Sequence, residues 1–319
     1  VKYLIVADPI ARWQPAFDTS LRLAGELLSR GIEVDYVDLP ATDASKPASD
    51  YLNTLPAQKV LHAEPGDANF IGLGPKRVAP VSDYAVILQR KDPPVDERFR
   101  AYMKLFAQAP KSILQINDPT EAVAWSEHLL PMRFPEFSIP TQVCRSPAEL
   151  IAAVRAQKNE VVLKPVNECS GVGVSFLRTD AAESDILKYW EEWKPEVVVQ
   201  PYQEEITRSG DLRILVFNHR VLGSVLRVPR QGSRLANLHQ GASSAPWTPT
   251  PRQLQATEAI AADLTPRGLY LLGLDFIGDL VSEINITSPS ALVQINQVMG
   301  KRTEVEFVDE IEKLRKSRG

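Results

Sequence analysis

Gly273-Leu274-Asp275-Phe276-Ile277-Gly278-Asp279-Leu280-Val281-Ser282-Glu283-Ile284-Asn285 reads as two apolar strand-like runs joined by a Gly-Asp turn, with acids inside both runs. Side chains alternate along a strand, so Glu283 and Asn285 share a face, and a three-residue loop over Gly278 to Leu280 would put Asp275 opposite Glu283 on that face. Two facing carboxylates repel unless a cation lies between them. Hard oxygen donors of this kind suit magnesium, which commonly bridges to substrate phosphates. The same residues also suit the polar, solvated face of an ordinary hairpin.

Other parts of the chain favour the first reading. Lys164 ends an apolar run and is followed by Pro165-Val166-Asn167-Glu168-Cys169-Ser170-Gly171-Val172-Gly173-Val174. A small-residue loop through Ser170, Gly171 and Gly173 lets backbone N–H groups approach phosphate oxygens while the lysine supplies a point charge. No Gly-Lys-Ser/Thr occurs here and no helix pattern follows, so this is not a Walker A loop; a plain hairpin turn fits the glycines as well. Asp211-Leu212-Arg213 and Arg227-Val228-Pro229-Arg230-Gln231-Gly232-Ser233-Arg234 concentrate guanidinium groups, with Arg213 and Arg227 at strand positions. Arginine forks pair with carboxylate or phosphate and stabilise charge developing in phosphoryl or acyl-phosphate transfer, although surface ion pairs use the same residues. His62, His128, His219 and His239 lack metal-ligand spacing, and Ser170 is not framed as a nucleophile. Cys169 in the glycine loop reads as a small filler.

The first 119 residues alternate strand and helix patterns: strand Lys2 to Ala7, a helix through Phe17, Leu21, Ala24, Leu27 and Leu28, and strand Val34 to Leu39. A polar stretch follows, then strand Tyr84 to Leu88, a helix through Phe99 to Phe106 and strand Ser112 to Ile116. This order implies an α/β domain with a mostly parallel sheet. From Thr120 the pattern changes to α+β: helices near Glu121 to Leu130 and Ala148 to Ala156, strands around Lys164, Val174 to Arg178 and Val197 to Gln200, and a helix over Ser184 to Trp193. Paired strands Asp211 to Asn218 and Val221 to Val228, a helix over Arg252 to Leu264, the hairpin, and a last helix over Glu304 to Leu314 complete the chain.

A chain of 319 residues suits two or three modest domains sharing a cleft. With 36 Lys and Arg against 40 Asp and Glu, the net charge of −4 gives no broad footprint for nucleic acid. No run approaches a membrane span, and Val1 to Ala7 is too short for a signal peptide. The two cysteines, Cys144 and Cys169, form neither a zinc pattern nor a disulfide scaffold, which points to a cytoplasmic protein.

Over nearly its full length the chain resembles bacterial glutathione synthetases, which are ATP-grasp carboxylate-amine ligases. The residues that carry the resemblance are Ala7-Asp8-Pro9-Ile10, Arg90-Lys91-Asp92-Pro93-Pro94, Asn117-Asp118-Pro119, Leu163-Lys164-Pro165, Gln200-Pro201-Tyr202, Asp211-Leu212-Arg213, Arg227-Val228-Pro229, and Gly273 to Asp279 through Glu283-Ile284-Asn285-Ile286-Thr287-Ser288-Pro289. It implies an N-terminal substrate domain (1–119) followed by a two-part ATP-grasp unit: a central subdomain with a lid (120–200) and a C-terminal subdomain with the metal site (201–319). Lys164 would touch ATP phosphates, Val198 to Tyr202, with Val199 and Gln200, would form the adenine hinge, and Asp211 would lie near the ribose. Asp275, Glu283 and Asn285 would hold magnesium, two ions with manganese as a substitute. Arg213 and Arg227, with Asn285, would serve the transferred phosphoryl group, and Arg90, Ser288 and Pro289 the carboxylate substrates. The family also implies small peptide and amino-acid substrates and a homo-oligomer.

Three departures stand out. His128 takes the place of a family lysine, and the 167–174 loop is similar to that of ribosomal-protein glutamate ligases. Asn237-Leu238-His239-Gln240-Gly241-Ala242 replaces a glycine-richer stretch at the lid and acceptor region, where Asn237 and Gly241 are substrate candidates. The implied reaction joins γ-glutamylcysteine to glycine through an acyl phosphate. A ligase adding another amino acid, such as glutamate, to a peptide or protein, and a non-catalytic nucleotide-binding paralogue, are the alternatives.

Overall fold

The structure, a computed structural model, describes residues 1–38, 47–66, 69–166, 168, 171–230, 232–234, 236 and 241–318. Among these residues the strands form three sheets. The first contains β1 (Lys2–Ala7), β2 (Glu33–Val37), β3 (Leu55–Ala63), β4 (Ile71–Ala79), β5 (Val86–Arg90) and β6 (Leu114–Ile116), in the order β4-β3-β2-β1-β5-β6. β1 runs parallel to β2 and β5, and β5 to β6. Helix α1 (Thr19–Ser29) starts where Asp18 accepts the Leu21 amide, which satisfies one of the free N–H groups of its first turn. Its Leu21, Ala24 and Leu27 pack with Tyr3 and Ile5 of β1. Beyond α2 (Ala48–Asn53), helix α3 (Glu97–Phe106) covers the opposite face through Tyr102, Leu105 and Phe106.

The polar stretch after β2 is not a plain connection, because α2 and the antiparallel β3–β4 ribbon lie within it. Pro56, Gly72, Gly74 and Pro75 interrupt the alternation that marks a strand. Gly72, Gly74 and Pro75 lie on the edge strand β4, and Pro56 lies beyond the Gln58 and Lys59 positions at which β3 pairs with β2, so there one row of N–H groups has no partner to lose. The N-terminal sheet is therefore parallel at its centre and antiparallel at this edge.

Asp118 caps α4 (Pro119–Ala124), accepting the Thr120 amide at 2.8 Å. The helix expected to continue to Leu130 stops at Ala124, and only a 3-10 turn over Leu130–Arg133 follows. Between them Ser126, Glu127 and His128 hydrogen-bond to distant segments, which a continuous helix would prevent. The second sheet, β7-β10-β8-β9, is antiparallel and comprises β7 (Gln142–Cys144), β8 (Glu160–Pro165), β9 (Ser175–Arg178) and β10 (Val197–Pro201). Helices α5 (Pro147–Arg155) and α6 (Glu183–Trp193) seal its core through Leu150, Val154, Ile186 and Trp190.

After the single turn α7 (Glu205–Arg208), the third sheet is built from β11 (Asp211–Phe217), β12 (Arg220–Val228), β13 (Ser243–Ala245), β14 (Leu271–Ile277) and β15 (Leu280–Asn285), in the order β13-β12-β11-β14-β15. Helix α8 (Pro251–Leu264) packs Ala256, Ile260 and Leu264 against Leu212, Ile214 and Leu274. Leu130 and Phe137 join this core, so the 120–141 segment, grouped by sequence with the central sheet, packs on the C-terminal one. Two last helices, α9 (Leu292–Met299), which the sequence reading lacks, and α10 (Thr303–Ser317), return to the first sheet. Phe307 and Ile311 share one core with Ile5, Leu21, Phe217 and Leu222. The first and third sheets are thereby fused through a common apolar interior, whose burial is the main favourable term holding them in register.

Candidate active site

The third sheet divides its two faces by strand alternation. Leu212, Ile214 and Val216 point into the α8 core, while Asp211 and Arg213 point the other way, towards the site. Cross-strand register aligns Asp211 with Arg227, Arg213 with Asp275, Asp275 with Glu283, and Gly273 with Asn285. The facing of Asp275 and Glu283 is achieved differently from the expected three-residue loop. Ile277 pairs with Leu280 and Phe276 with Val281 across a two-residue turn, and the register then slips by one residue before Asp275. That bulge at Ser282 is what turns Glu283 towards Asp275; regular pairing would have placed Ser282 there. Ser282 Oγ donates to the Asp275 carbonyl at 3.2 Å, filling the gap that the bulge leaves in the ladder.

Asp275 is buried and engaged by two arginines. Arg213 grips it with both Nε and Nη2, the latter at 2.7 Å, and Arg227 Nη2 lies 2.9 Å from Oδ2. The same Arg227 nitrogen donates to Asp211 Oδ2 at 2.6 Å. Burial alone would raise the Asp275 pKa, but the two guanidinium groups outweigh it and hold the group well below the carboxylate range. For Asp211 desolvation wins over Arg227, and its pKa rises. Asp211 Oδ1 and Arg227 Nε are buried with no hydrogen-bond partner among the described residues. Unsatisfied buried polar atoms are costly, so these two atoms fit a site that receives a polar ligand. Asn285 Nδ2 donates to the Gly273 carbonyl at 3.0 Å and reaches Asp275 Oδ2 at 3.3 Å.

No group of three or more His, Cys, Asp or Glu with ligand-like placement occurs among the described residues. The candidate donors for a divalent ion are thus two carboxylates and an amide oxygen from Asp275, Glu283 and Asn285. This all-oxygen, incomplete set fits magnesium, which retains waters and takes the rest of its shell from phosphates.

Across a narrow cleft of about 90 Å³ the central sheet presents Lys164, Gly171, Gln200 and Tyr202 to Asp211 and Glu283. No hydrogen bond or ion pair engages Lys164 Nζ among the described residues, and desolvation lowers its pKa. A half-buried ammonium group that donates no hydrogen bond fits a polar, anionic ligand. Gly173 sits at φ +72°, and a Cβ there would meet Pro165 Cγ at 2.5 Å, so it shapes the root of the loop. Val199, in contrast, packs into the central core, and of the expected hinge it is Gln200, Pro201 and Tyr202 that line the cleft. Ser170 and Asn237 lie outside the described residues.

A larger cavity of about 570 Å³ opens on the other side of Glu283, between the first and third sheets. Arg90 lines it, buried, with Nε on Ser20 Oγ (3.1 Å) and Nη1 on the Pro289 carbonyl (2.9 Å). Pro289 therefore positions Arg90, while Ser288 and Gly241 face the cavity. Glu127 has no local signature in the sequence, and the resemblance marks His128 and Asn117 without their contacts. Glu127 lines the cavity and accepts from the Ile286 and Thr287 amides at 2.6 and 2.8 Å. Desolvation, aided by the charge of Glu283, pushes its pKa up to about 7. His128 donates Nδ1–H to the Pro165 carbonyl (2.8 Å) and places Nε2 3.9 Å from Glu283, and burial lowers its pKa. Asn117 spends its whole amide on the backbone of Leu271 and Ile286, tying the end of β6 to the candidate metal hairpin.

Family comparison agrees with this geometry. Residues 1–122 match the model of the prokaryotic glutathione synthetase N-terminal domain, and residues 127–300 match that of the prokaryotic glutathione synthetase ATP-grasp domain. A glutathione synthetase of Prochlorococcus marinus (strain MIT 9313) is 33% identical over 303 residues, covering 94% of this chain and 95% of that protein. One from Shewanella oneidensis is 30% identical over 303 residues, 92% of this chain and 93% of its own. Among solved structures, a D-cycloserine synthetase superposes with a TM-score of 0.67 at 16% identity over 99% of this chain and 100% of its own. A D-alanine–D-alanine ligase from Bacillus anthracis, complexed with ATP, gives 0.59 at 11% identity over 100% and 99%. With both domain models matched in order and relatives aligned end to end, the chain belongs to the prokaryotic glutathione synthetase family.

Proposed function

We propose that this protein is an ATP-dependent carboxylate-amine ligase that joins the cysteine carboxylate of γ-glutamylcysteine to the amino group of glycine. The observation that carries the reading is a single sheet face on which Asp211, Arg213, Arg227, Asp275, Glu283 and Asn285 lie together, with Glu283 bordering both the Lys164 cleft and the Arg90 cavity. Nucleotide belongs in the cleft and the acyl donor in the cavity, so the γ-phosphoryl group and the carboxylate meet beside Arg213 and Arg227. The carboxylate oxygen takes the phosphoryl group as ADP departs. The amine nitrogen then attacks the acyl carbon, the bond to the phosphate oxygen breaks, and the amine loses a proton. Such a sequence needs alignment and charge neutralisation more than a strong side-chain base. Lys164, Arg213 and Arg227 provide three cations, and Arg90 faces the donor's carboxylate groups. Magnesium, held by Asp275, Glu283 and Asn285, would supply further neutralisation of phosphate charge.

The full reading includes two magnesium ions with manganese as a substitute, a central subdomain with its lid over 120–200, a C-terminal subdomain with the metal site over 201–319, a 1–119 substrate domain, a homo-oligomer and a cytoplasmic setting. No helix among the described residues is long and apolar enough to cross a membrane. The test is phosphate release from ATP and magnesium across γ-glutamylcysteine, other glutamyl peptides and single amino acids, with mass spectrometry of the products. Glutathione formed only from γ-glutamylcysteine and glycine supports the proposal. Another ligated product moves the protein to a sister activity, and nucleotide binding without turnover refutes catalysis.

A further inference from the structure

We infer that Ser126-Glu127-His128 is a clasp coupling the nucleotide cleft to the acyl-donor cavity, with Glu127 as its positioning residue; this rests on the assignment of the two clefts above. Three consecutive side chains reach to two separate parts of the site. Ser126 Oγ donates to the Val166 carbonyl at 2.6 Å and His128 Nδ1 to the Pro165 carbonyl at 2.8 Å, the two residues directly after Lys164. Between them Glu127 Oε1 accepts from the Ile286 amide (2.6 Å), the Thr287 amide (2.8 Å) and Thr287 Oγ1 (2.9 Å), directly after Asn285. The Glu127 carbonyl also accepts the Ile284 amide at 3.2 Å. The turn itself is closed by the Leu129 and Leu130 amides on the Ser126 carbonyl, and Leu130 is fully buried in the C-terminal core.

The placement matters because the central and C-terminal cores share no residue among those described. The strand carrying Lys164 belongs to one and the strand carrying Glu283 and Asn285 to the other. Direct hydrogen bonds from one short, rigid turn to the ends of both strands set their separation. One oxygen that accepts two buried backbone amides and a hydroxyl is a three-point anchor, because losing it leaves those donors unpaired. Displacing Lys164 through its strand must therefore strain the 286–289 segment, whose Pro289 carbonyl holds Arg90 in the donor cavity.

Glu127→Ala and Glu127→Gln both remove the charge, but only alanine removes the acceptor, so their difference reads the clasp alone. Neither variant alters a group contacting Lys164, and Ser126→Ala alters none in the donor cavity. The measurements are binding of AMP-PNP with magnesium, KM for γ-glutamylcysteine, kcat and Tm. We expect Glu127→Ala to weaken AMP-PNP by about tenfold relative to Glu127→Gln, and Ser126→Ala to raise the γ-glutamylcysteine KM by several-fold, the scale of coupling between residues in one network. Effects confined to the near site, a lowered Tm with unchanged affinities, or alanine and glutamine variants that bind AMP-PNP alike overturn the clasp. If γ-glutamylcysteine is no substrate, the proposed function falls, while the AMP-PNP comparison still decides the clasp.

Discussion

Replacing Glu127 with glutamine should make the ligand-free protein more heat-stable at pH 8 and leave it nearly unchanged at pH 5. The carboxyl is pushed from the ordinary glutamate value of 4.5 up to about 7 by desolvation first and the neighbouring Glu283 second. Between these values the folded protein binds more protons than the unfolded chain, so wild-type stability falls as pH rises through this window and levels off above it. A group sealed from water would lose roughly 3 kcal/mol across such a gap at ~1.4 kcal/mol per decade. Glu127 is only half-buried and its edge opens on the cavity, so about 1–2 kcal/mol is the reasonable expectation once solvent screening is included. With an unfolding entropy near 2 cal/mol/K per residue, the midpoint difference should be about 1.5–3 °C for this chain. Glutamine keeps an oxygen for the Ile286 and Thr287 amides, so the contacts are conserved while the titration is lost. Thermal unfolding of both proteins from pH 4.5 to 8.5, without nucleotide or magnesium, is the assay. A difference that stays constant over this range, or that favours the wild type at pH 8, would refute the argument.

Three further outcomes follow from other parts of the site. Glu283→Gln should keep its fold by circular dichroism while magnesium-dependent phosphate release drops by at least about 100-fold, the scale of losing one preorganised electrostatic partner; undiminished turnover would remove the hairpin from the mechanism. Asn117→Ala removes three buried hydrogen bonds to Leu271 and Ile286 and should cost about 2–4 kcal/mol in denaturant unfolding, because the backbone groups left behind stay buried. Gly173→Ala forces a side chain onto Pro165 and Trp193 at φ +72°, which should raise the KM for ATP and leave that for glycine unchanged; an unaltered ATP KM would mean that the loop root does not shape the nucleotide site.

Local chemistry made much of the site legible in the sequence. Glu283 and Asn285 announce their shared face through strand alternation alone, a period of two that needs no knowledge of the rest of the chain. Lys164 is equally plain, as a cation closing an apolar strand before a small-residue loop. The bulge at Ser282 was not legible, since a turn of two residues with a slip and a turn of three without one bring Asp275 and Glu283 together equally well. The β3–β4 ribbon was hidden by its glycines and prolines, whose cost depends on whether a strand lies at an edge. The resemblance implies a hinge over Val198 to Tyr202, and only the packing of the central sheet shows that the Val199 side chain turns into its core.

The order of α/β and α+β segments, the pairing of the acid-bearing hairpin and the charges placed along β8, β11, β12, β14 and β15 are written locally, because they depend on neighbours within a few residues or on adjoining strands. The role of groups with no local pattern emerges only in the folded chain. Glu127, Asn117 and His128 carry no periodic signal, and their partners lie 159 residues away at Ile286, 154 at Leu271 and 37 at Pro165. A hydrogen bond is short and directional, so which distant amide a buried polar side chain meets is settled only when the three sheets have packed.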